Sequence, residues 1–190
     1  MDSAVNASPS PAQYSVTVAL EAEHQHLLEA LDEVRRLLRE GEGDAAQLRF
    51  LSFGDRLLRH MGAEERVLFP IFEQVTGIPD GPTKALRCAH CAFRKVVRVL
   101  KRSLVVDPAE SSDAMLAYLK DAFVKHDEYE QQWLYRICNE VVCDDVVRDA
   151  ILGRLDAWRT SEDESVLEGV PHQCADRAET DATAAGREAP

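Results

Sequence analysis

Hydrophobic residues recur every three or four positions along four long stretches of the chain, which is the period of helices with one buried face. The first stretch predicts a helix from Ser15, a suitable N-cap, to about Glu40, where glycines end it. The second helix opens near Asp44, which we take as its cap. Pro70 falls inside this second pattern, so we expect the helix to kink or stop there.

A loop rich in Gly and Pro, residues 75–82, separates the second helix from a third helix over residues 83–104. A fourth helix is predicted over residues 112–142, and a short fifth helix over residues 144–159. Helices joined by short connections pack as antiparallel neighbours. The pattern therefore predicts an all-α fold, an up-and-down antiparallel four-helix bundle with a short fifth C-terminal helix.

The two ends of the chain lack this periodicity. Residues 1–13 are rich in Ser, Ala and Pro, and residues 161–190 are dominated by Glu, Asp, Ala, Thr and Gly. Such compositions do not bury enough apolar surface to fold. We therefore predict a disordered N-terminal segment over residues 1–13, one helical domain over residues 14–160, and a disordered acidic tail over residues 161–190.

The charge of the chain narrows its possible partners. The sequence has 22 basic and 34 acidic residues, a formal net charge of −12. Nucleic acid and anionic membranes would repel such a surface, so we exclude both as main partners. There is no apolar run of about 18 residues, and the N-terminus lacks the basic start and apolar centre of a signal peptide. We expect a cytoplasmic protein, and the sequence identifies no protein partner.

The five cysteines do not indicate a disulfide scaffold. Their number is odd, and the chain is long enough to fold without cross-links. Cys88 and Cys91 form a C-x-x-C pair, but the second pair of a zinc ribbon is missing. We predict that both are small buried helix residues.

Within the second helix, His60 and Glu64 are four positions apart and therefore share one face. Phe53, Leu57 and Val67 make the same face apolar. Burying a carboxylate without a partner costs several kcal/mol, and no Lys or Arg lies on this stripe. A cation held jointly with side chains of other helices would compensate the charge.

Each of the other three long helices also places one histidine on its apolar stripe, and the fourth helix repeats the His-x-x-x-Glu spacing. A single buried histidine is usually a hydrogen-bonded core residue, but four on four helices favour a metal site. A polar core that binds no metal and serves only interaction is the alternative. His26 and the motif neighbours Glu65, Asp127 and Glu128 are expected to face solvent. The candidate metal ligands are His24, His60, Glu64, His90, His126 and Glu130.

These motifs resemble the hemerythrin-like domains, also called HHE cation-binding domains, over about residues 15–140. The resemblance implies a four-helix bundle enclosing two non-heme irons bridged by carboxylates, often with an additional oxo or hydroxo bridge. The matching motifs are Glu23-His24-x-x-Leu27, His60-x-x-x-Glu64-Glu65-x-x-Leu68-Phe69-Pro70, His90, and His126-x-x-x-Glu130 before Leu134.

Carried over residue by residue, the resemblance gives each iron two histidines and both irons the same two glutamates. Imidazole and carboxylate suit iron, and they also suit manganese or zinc, which are the alternatives to iron. The resemblance pairs His24 with His60 on one ion and His90 with His126 on the other, and it makes Glu64 and Glu130 the bridges.

One departure from the family pattern bears on function. Oxygen-carrying hemerythrins typically have His-x-x-x-His on the third helix, whereas Arg94 stands four residues after His90 here. Fewer histidines leave more positions for water, hydroxide, peroxide or another small ligand, which argues against reversible oxygen carriage. The candidates for an additional ligand are His26, Glu65, Tyr129 and Cys91.

The resemblance implies a di-iron protein that binds or reduces dioxygen, hydrogen peroxide or nitric oxide, with a catalase-like oxidoreductase as the enzymatic form. The irons would cycle between ferrous and ferric states, and a redox link to the thiols of Cys88 and Cys91 is a further hypothesis. The alternative function is an iron or oxygen sensor whose fold depends on the metal. An apolar shell is predicted from Phe53, Phe93, Phe123 and Trp133.

Overall fold

The structure, a computed structural model, describes residues 16–79, 81–106, 110–136, 138 and 145–160. Across these ranges the chain is helical and contains no strand, which confirms the predicted all-α class. The predicted N-cap Ser15 and both predicted disordered ends lie outside the described residues. The helices are α1 (Val16–Arg39), α2 (Gly43–Ala63), the π-helical segment π1 (Glu64–Leu68), α3 (Phe69–Thr76), α4 (Pro82–Val106), α5 (Glu110–Tyr129), the π-helical segment π2 (Glu130–Tyr135) and α6 (Asp145–Thr160).

The turns between helices follow from glycine and proline. Gly41 has a φ of 80° and follows α1, and Gly77 has a φ of 68° and ends α3. Glycine adopts this left-handed conformation at no steric cost. Pro82 begins α4, where its missing N–H has no helical partner to lose. Asp44 lies in the first turn of α2 and not at its N-cap, so the predicted cap is wrong.

The helix continues through Pro70 by way of a local change in its winding. The helix does not stop there, because α3 continues to Thr76. Before the proline the winding widens into π1, so that the N–H of Phe69 donates to the carbonyl of Glu64, five residues back. Pro70 then occupies the first turn of α3, a position that tolerates its missing donor.

Each of the four long helices packs against two of the others. Helix α1 packs against α2 and α5, α4 packs against the same two helices, and α6 crosses α2 and π1. At Gly54, an added Cβ would lie 3.2 Å from Cγ1 of Val97, so the missing side chain lets α2 and α4 approach closely. Within the described ranges, every helix is too short or too polar to span a lipid bilayer.

The apolar core is divided into two clusters, and the division determines where the polar residues meet. On α1, Leu20 belongs to one cluster and Leu27 to the other, with His24 between them. On α4, Leu86 and Phe93 belong to the two clusters in the same way, with His90 between them. The histidines of different helices therefore lie in one layer between two apolar layers.

Candidate metal centre

All six predicted ligand side chains are buried in this polar layer. His126 is the most exposed of them, with 5% of its surface accessible, and His60, Glu64 and Glu130 are fully covered. Four different helices therefore deliver imidazole and carboxylate groups to one place in the core. The structure brings the six residues together, and their role as metal ligands stays a prediction.

The first group of potential ligands contains His24, His60, Glu64 and Glu130, whose nearest donor atoms all lie within 4.8 Å of one another. The two imidazole Nε2 atoms are 2.7 Å apart. Nε2 of His24 is 3.4 Å from Oε2 of Glu130, and Nε2 of His60 is 3.4 Å from Oε1 of Glu64. Two nitrogens and two carboxylate oxygens thus face a common point.

The second group contains His90 and His126 with the same two glutamates. Its imidazole Nε2 atoms are 3.2 Å apart. Nε2 of His90 is 3.4 Å from Oε2 of Glu64, and Nε2 of His126 is 3.2 Å from Oε1 of Glu130. Each glutamate therefore turns one oxygen toward each group, which is the arrangement that a bridging carboxylate requires.

Both shared glutamates stand at the first position of a π-helical segment, Glu64 in π1 and Glu130 in π2. The residue five positions after each of these glutamates is aromatic and packs on a histidine of the site. Phe69 stacks on His90 with ring centroids 5.5 Å apart, and Tyr135 stacks on His24 at 6.2 Å. The hydroxyl of Tyr135 also donates to Oε2 of Glu130 at 3.1 Å. Local π winding is frequent at functional sites.

Glu65 supports His90 from outside the ligand groups. Its Oε1 lies 2.9 Å from Nδ1 of His90, and Arg94 donates to both of its oxygens at 2.9 and 2.8 Å. Glu65 is 5% exposed, so the prediction that it faces solvent is wrong. Arg94, at the position of the missing fifth histidine, is thus occupied in holding the carboxylate that orients His90.

Asp127 plays the corresponding part for His24. Its Oδ1 lies 2.6 Å from Nδ1 of His24 and accepts a hydrogen bond from the Gln131 amide at 3.1 Å. The Asp127 side chain is 18% exposed, so its predicted solvent-facing role is wrong, whereas Glu128 is exposed as predicted. A carboxylate on the outer nitrogen fixes the ring orientation of a ligating histidine and raises its basicity.

The pKa values of the buried carboxyl groups at the site are shifted in different directions. Burial and the neighbouring Glu130 raise the pKa of Glu64 well above its usual value. Burial opposes ionisation of Glu130 as well, but the surrounding histidines lower its pKa to about 2. Burial likewise disfavours the charged form of Glu65, and hydrogen bonds from His90 and Arg94 lower its pKa to about 2. Burial lowers the pKa of His90 to about 4, which favours the neutral imidazole that binds metals.

The residues fit a pair of divalent cations. Both oxygens of Glu64 and Oε1 of Glu130 are buried and accept no hydrogen bond. Such acceptors are costly to bury unless a cation or a donor compensates them. Imidazole nitrogen and carboxylate oxygen are ligands suited to iron, manganese and zinc.

A sequence profile of the hemerythrin HHE cation binding domain matches residues 15–138. The chain belongs to this family. Comparisons with curated proteins and with solved structures gave no significant match. Membership of the HHE family confirms the resemblance seen in the sequence, and it implies that the chain binds metal cations. The buried His/Glu layer is the site that can hold them.

The four candidates for an additional ligand do not belong to either group of this HHE domain. His26 is exposed as predicted, and its Nδ1 lies 3.1 Å from the Arg56 guanidinium, which pairs with Glu23. Tyr129 is partly buried and packs near Trp133, with ring centroids 6.5 Å apart. The other two candidates are Glu65 and Cys91. Glu65 accepts a hydrogen bond from Arg94, and Cys91 is only partly buried.

The apolar surroundings of the site agree with the prediction at Phe93 and Phe123. Phe123 lies edge-on to His24 at 5.2 Å, and Phe93 lies edge-on to His126 at 5.3 Å. Phe53 is buried, and its place in the shell stays a prediction. Trp133 is 45% exposed, so its predicted place in the shell is wrong. The change to π winding at Glu130 rotates the following residues, which turns Trp133 outward and Tyr135 inward.

The predicted burial of the C-x-x-C pair is wrong for Cys88, which is exposed, while Cys91 is partly buried. Cys138 is buried. Cys143 and Cys174 lie outside the described residues. The redox link between the Cys88 and Cys91 thiols and the metal centre stays a prediction.

Sequence reasoning missed three residues that contact the site: Arg94 as a positioning residue, Asp127 and Tyr135. An interval of 66 positions that recurs in the sequence indicates one of them, Tyr135. The pairs separated by 66 positions are His24 and His90, His60 and His126, Glu64 and Glu130, and Phe69 and Tyr135. The two halves of the domain thus supply equivalent sets of potential ligands, and this interval would have indicated Tyr135 as the counterpart of Phe69. Arg94 and Asp127 have no such counterpart, since Leu28 and Met61 stand 66 positions before them.

Proposed function

We propose that the chain is a non-heme di-iron protein of the HHE family, built as an up-and-down antiparallel four-helix bundle. The observation that supports this most directly is that Glu64 and Glu130 each belong to both ligand groups. A single ion would leave half of the donors unused, whereas two ions compensate both carboxylates. In this proposal His24 and His60 bind one iron, and His90 and His126 bind the other.

The proposed activity is the binding or reduction of a small oxidant: dioxygen, hydrogen peroxide or nitric oxide. Iron supplies Lewis acidity and one-electron redox chemistry when bound. The chain offers each ion two imidazoles and two shared carboxylates. This is fewer than the six positions of an octahedral ion, so a small ligand has room to bind. Manganese or zinc are the alternative metals for the same donors.

The chain's own residues exclude water and hold the ligands in place. Phe93, Phe123 and Phe69 cover the imidazoles with apolar rings at 5.2–5.5 Å. A dry surrounding strengthens every electrostatic interaction inside the site. Tyr135 donates a hydrogen bond to Glu130, which fixes the orientation of one bridging carboxylate.

The experiment is to measure iron per chain and the optical spectrum of freshly purified protein, and then the rate of peroxide consumption. We expect about two irons in the wild type, and loss of iron and of turnover in His60→Ala. His26→Ala is the matched control, because this histidine is exposed and belongs to neither group. Equal peroxide consumption by wild type and His60→Ala, both with bound iron, would refute the enzymatic form.

A second candidate function, metal-dependent sensing, is favoured by the buried oxygens of Glu64 and Glu130 that accept no hydrogen bond. Without metal these acceptors destabilise the bundle, so metal occupancy would change its stability and report to a partner. Thermal melting with and without chelator tests this. A change in melting temperature of less than about 2 °C would argue against sensing through folding, since 1 kcal/mol shifts such a domain by about 2–8 °C.

A further inference from the structure

Helix α4 differs in charge from the rest of the chain. It contains no acidic residue, although the chain as a whole has 34 acidic and 22 basic residues. Every other long helix mixes both signs. The helix therefore presents a local positive field on an acidic protein, and local fields act within about one Debye length, ~10 Å at 0.1 M salt. The basic residues of α4 are Lys84, Arg87, Arg94, Lys95, Arg98, Lys101 and Arg102.

Three of these basic residues form no ion pair with any residue that the structure describes. Arg87, Arg94 and Lys101 form ion pairs with acidic residues of other segments. Lys95, Arg98 and Arg102 are exposed, and no ion pair joins them to any described residue. They are three and four positions apart, so they line up along one outer face of α4. We call these three residues the basic stripe.

Apolar side chains lie among these charges. Val99 is 49% exposed and sits between Lys95 and Arg102, and Val105 is 64% exposed and continues the row three residues after Arg102. Removing the apolar surface of an exposed valine from water is favourable, so a partner that covers these side chains lowers the free energy. Apolar contacts surrounded by charged groups are the composition of a transient protein interface. The basic stripe therefore has the features of a docking surface for an acidic protein.

The position of the stripe relative to the metal centre indicates which kind of acidic protein. The same helix that exposes Lys95 buries His90, five residues earlier. The outer and inner faces of a helix are about 10 Å apart. At 1.5 Å per residue the stripe begins about 7 Å along the axis from His90 and ends about 18 Å from it. A protein docked with its redox group over the Lys95 end would therefore bring that group near the ligand set, without any opening of the bundle.

We propose that the basic stripe is the docking site of a small acidic electron-transfer protein that reduces the centre. This inference rests on the proposed di-iron function. In each encounter the partner's redox group is oxidised by one electron and one ferric ion becomes ferrous, so two encounters reduce the pair and no atom is transferred.

The test begins with binding, using a small acidic [2Fe–2S] protein as the probe and the oxidised, iron-loaded full chain. Titration calorimetry at low salt should show binding that weakens as salt is raised, because charge pairs are screened. The variant Lys95→Glu/Arg98→Glu/Arg102→Glu should weaken binding at least tenfold. The control Arg49→Glu/Lys125→Glu/Arg154→Glu changes the net charge equally, at exposed positions on α2, α5 and α6, and should bind like the wild type.

The second readout is the rate of reduction. The reduced [2Fe–2S] protein should reduce the stripe variant at least tenfold more slowly than the control, while dihydroriboflavin, a small reductant, should reduce both at the same rate. Equal weakening in both variants, or no binding by the wild type, would overturn the proposal. Self-association of the wild type that the stripe substitutions abolish would assign the surface to a second copy and would also overturn it. If the chain binds no iron, the proposed function fails, and calorimetry on the metal-free full chain with the same two variants then decides the docking by itself.

Discussion

Oε1 of Glu65 lies 2.9 Å from Nδ1 of His90, and both oxygens of Glu65 accept hydrogen bonds from the guanidinium of Arg94. The equivalent carboxylate behind His24 comes from Asp127, which receives a neutral amide hydrogen bond from Gln131 instead of a guanidinium. The two groups contain the same kinds of potential ligand atom. They differ in the side chain that holds the outer carboxylate, which is a charged guanidinium behind His90 and a neutral amide behind His24. We expect two ions bound here to be electronically inequivalent.

Replacing Glu65 with Gln should weaken metal binding. The substitution removes the negative charge that orients His90 and leaves Arg94 without its carboxylate partner. Loss of such outer partners costs about 10–100-fold in metal affinity. Competition with a ferrous chelator measures the affinity, and Glu128→Gln, at an exposed position, is the control. An unchanged affinity in Glu65→Gln would contradict a positioning role.

Asp127→Asn should perturb the other ion. Nδ1 of His24 lies 2.6 Å from Asp127, so the substitution lowers the basicity of an imidazole that belongs to the first ligand group alone. Mössbauer spectra of iron-loaded protein should show one of two quadrupole doublets shifted in Asp127→Asn, and the other doublet shifted in Glu65→Gln. If both variants shift the same doublet, the two carboxylates do not serve different ions.

Glu64→Met should make the metal-free protein more stable while abolishing two-ion binding. Both Glu64 oxygens are buried without a hydrogen bond, and a buried polar group in that state costs about 1–3 kcal/mol. Methionine fills a similar volume without polar atoms of comparable strength. Urea unfolding in the presence of chelator should show this gain in the free energy of unfolding. The exposed Glu128→Met should change it by less than about 0.5 kcal/mol, and a loss of stability in Glu64→Met would contradict the prediction.

Asp113 should contribute a pH-dependent part of the stability by joining α5 to α1. Arg35 donates to its two oxygens at 2.8 and 3.3 Å, and this hydrogen bond lowers the pKa of Asp113 below its ordinary value. A carboxyl whose pKa is lower in the folded chain stabilises the fold above its unfolded pKa, about 3.9, and loses that contribution as pH falls through the folded pKa.

For this partly exposed pair we expect Asp113→Asn to cost about 0.5 kcal/mol at pH 7. The difference from wild type should narrow as the pH falls below about 3.9. Urea unfolding at a series of pH values measures it. A difference that stays constant over the acid range would show that the side chain acts through packing and not through its charge.

Much of the fold and the six central residues could be predicted, because a helix repeats every 3.6 residues and places a histidine in phase with its apolar neighbours. Trp133 and Tyr135 could not be assigned in this way, since π2 changes the phase after Glu130 and periodicity assumes constant winding. Glu65 and Asp127 were misassigned for another reason. Each lies next to a candidate ligand on its own helix, and its burial depends on a partner from a helix distant in sequence.

Glu64 and Glu130 are common to both ligand groups, so the sites cannot fill independently. The first ion to arrive holds both carboxylates in place and so fixes their free oxygens in the geometry that the second ion needs. Metal uptake should therefore be positively cooperative: at half the stoichiometric amount of iron, a sample would consist mainly of empty and doubly loaded molecules, with few singly loaded ones.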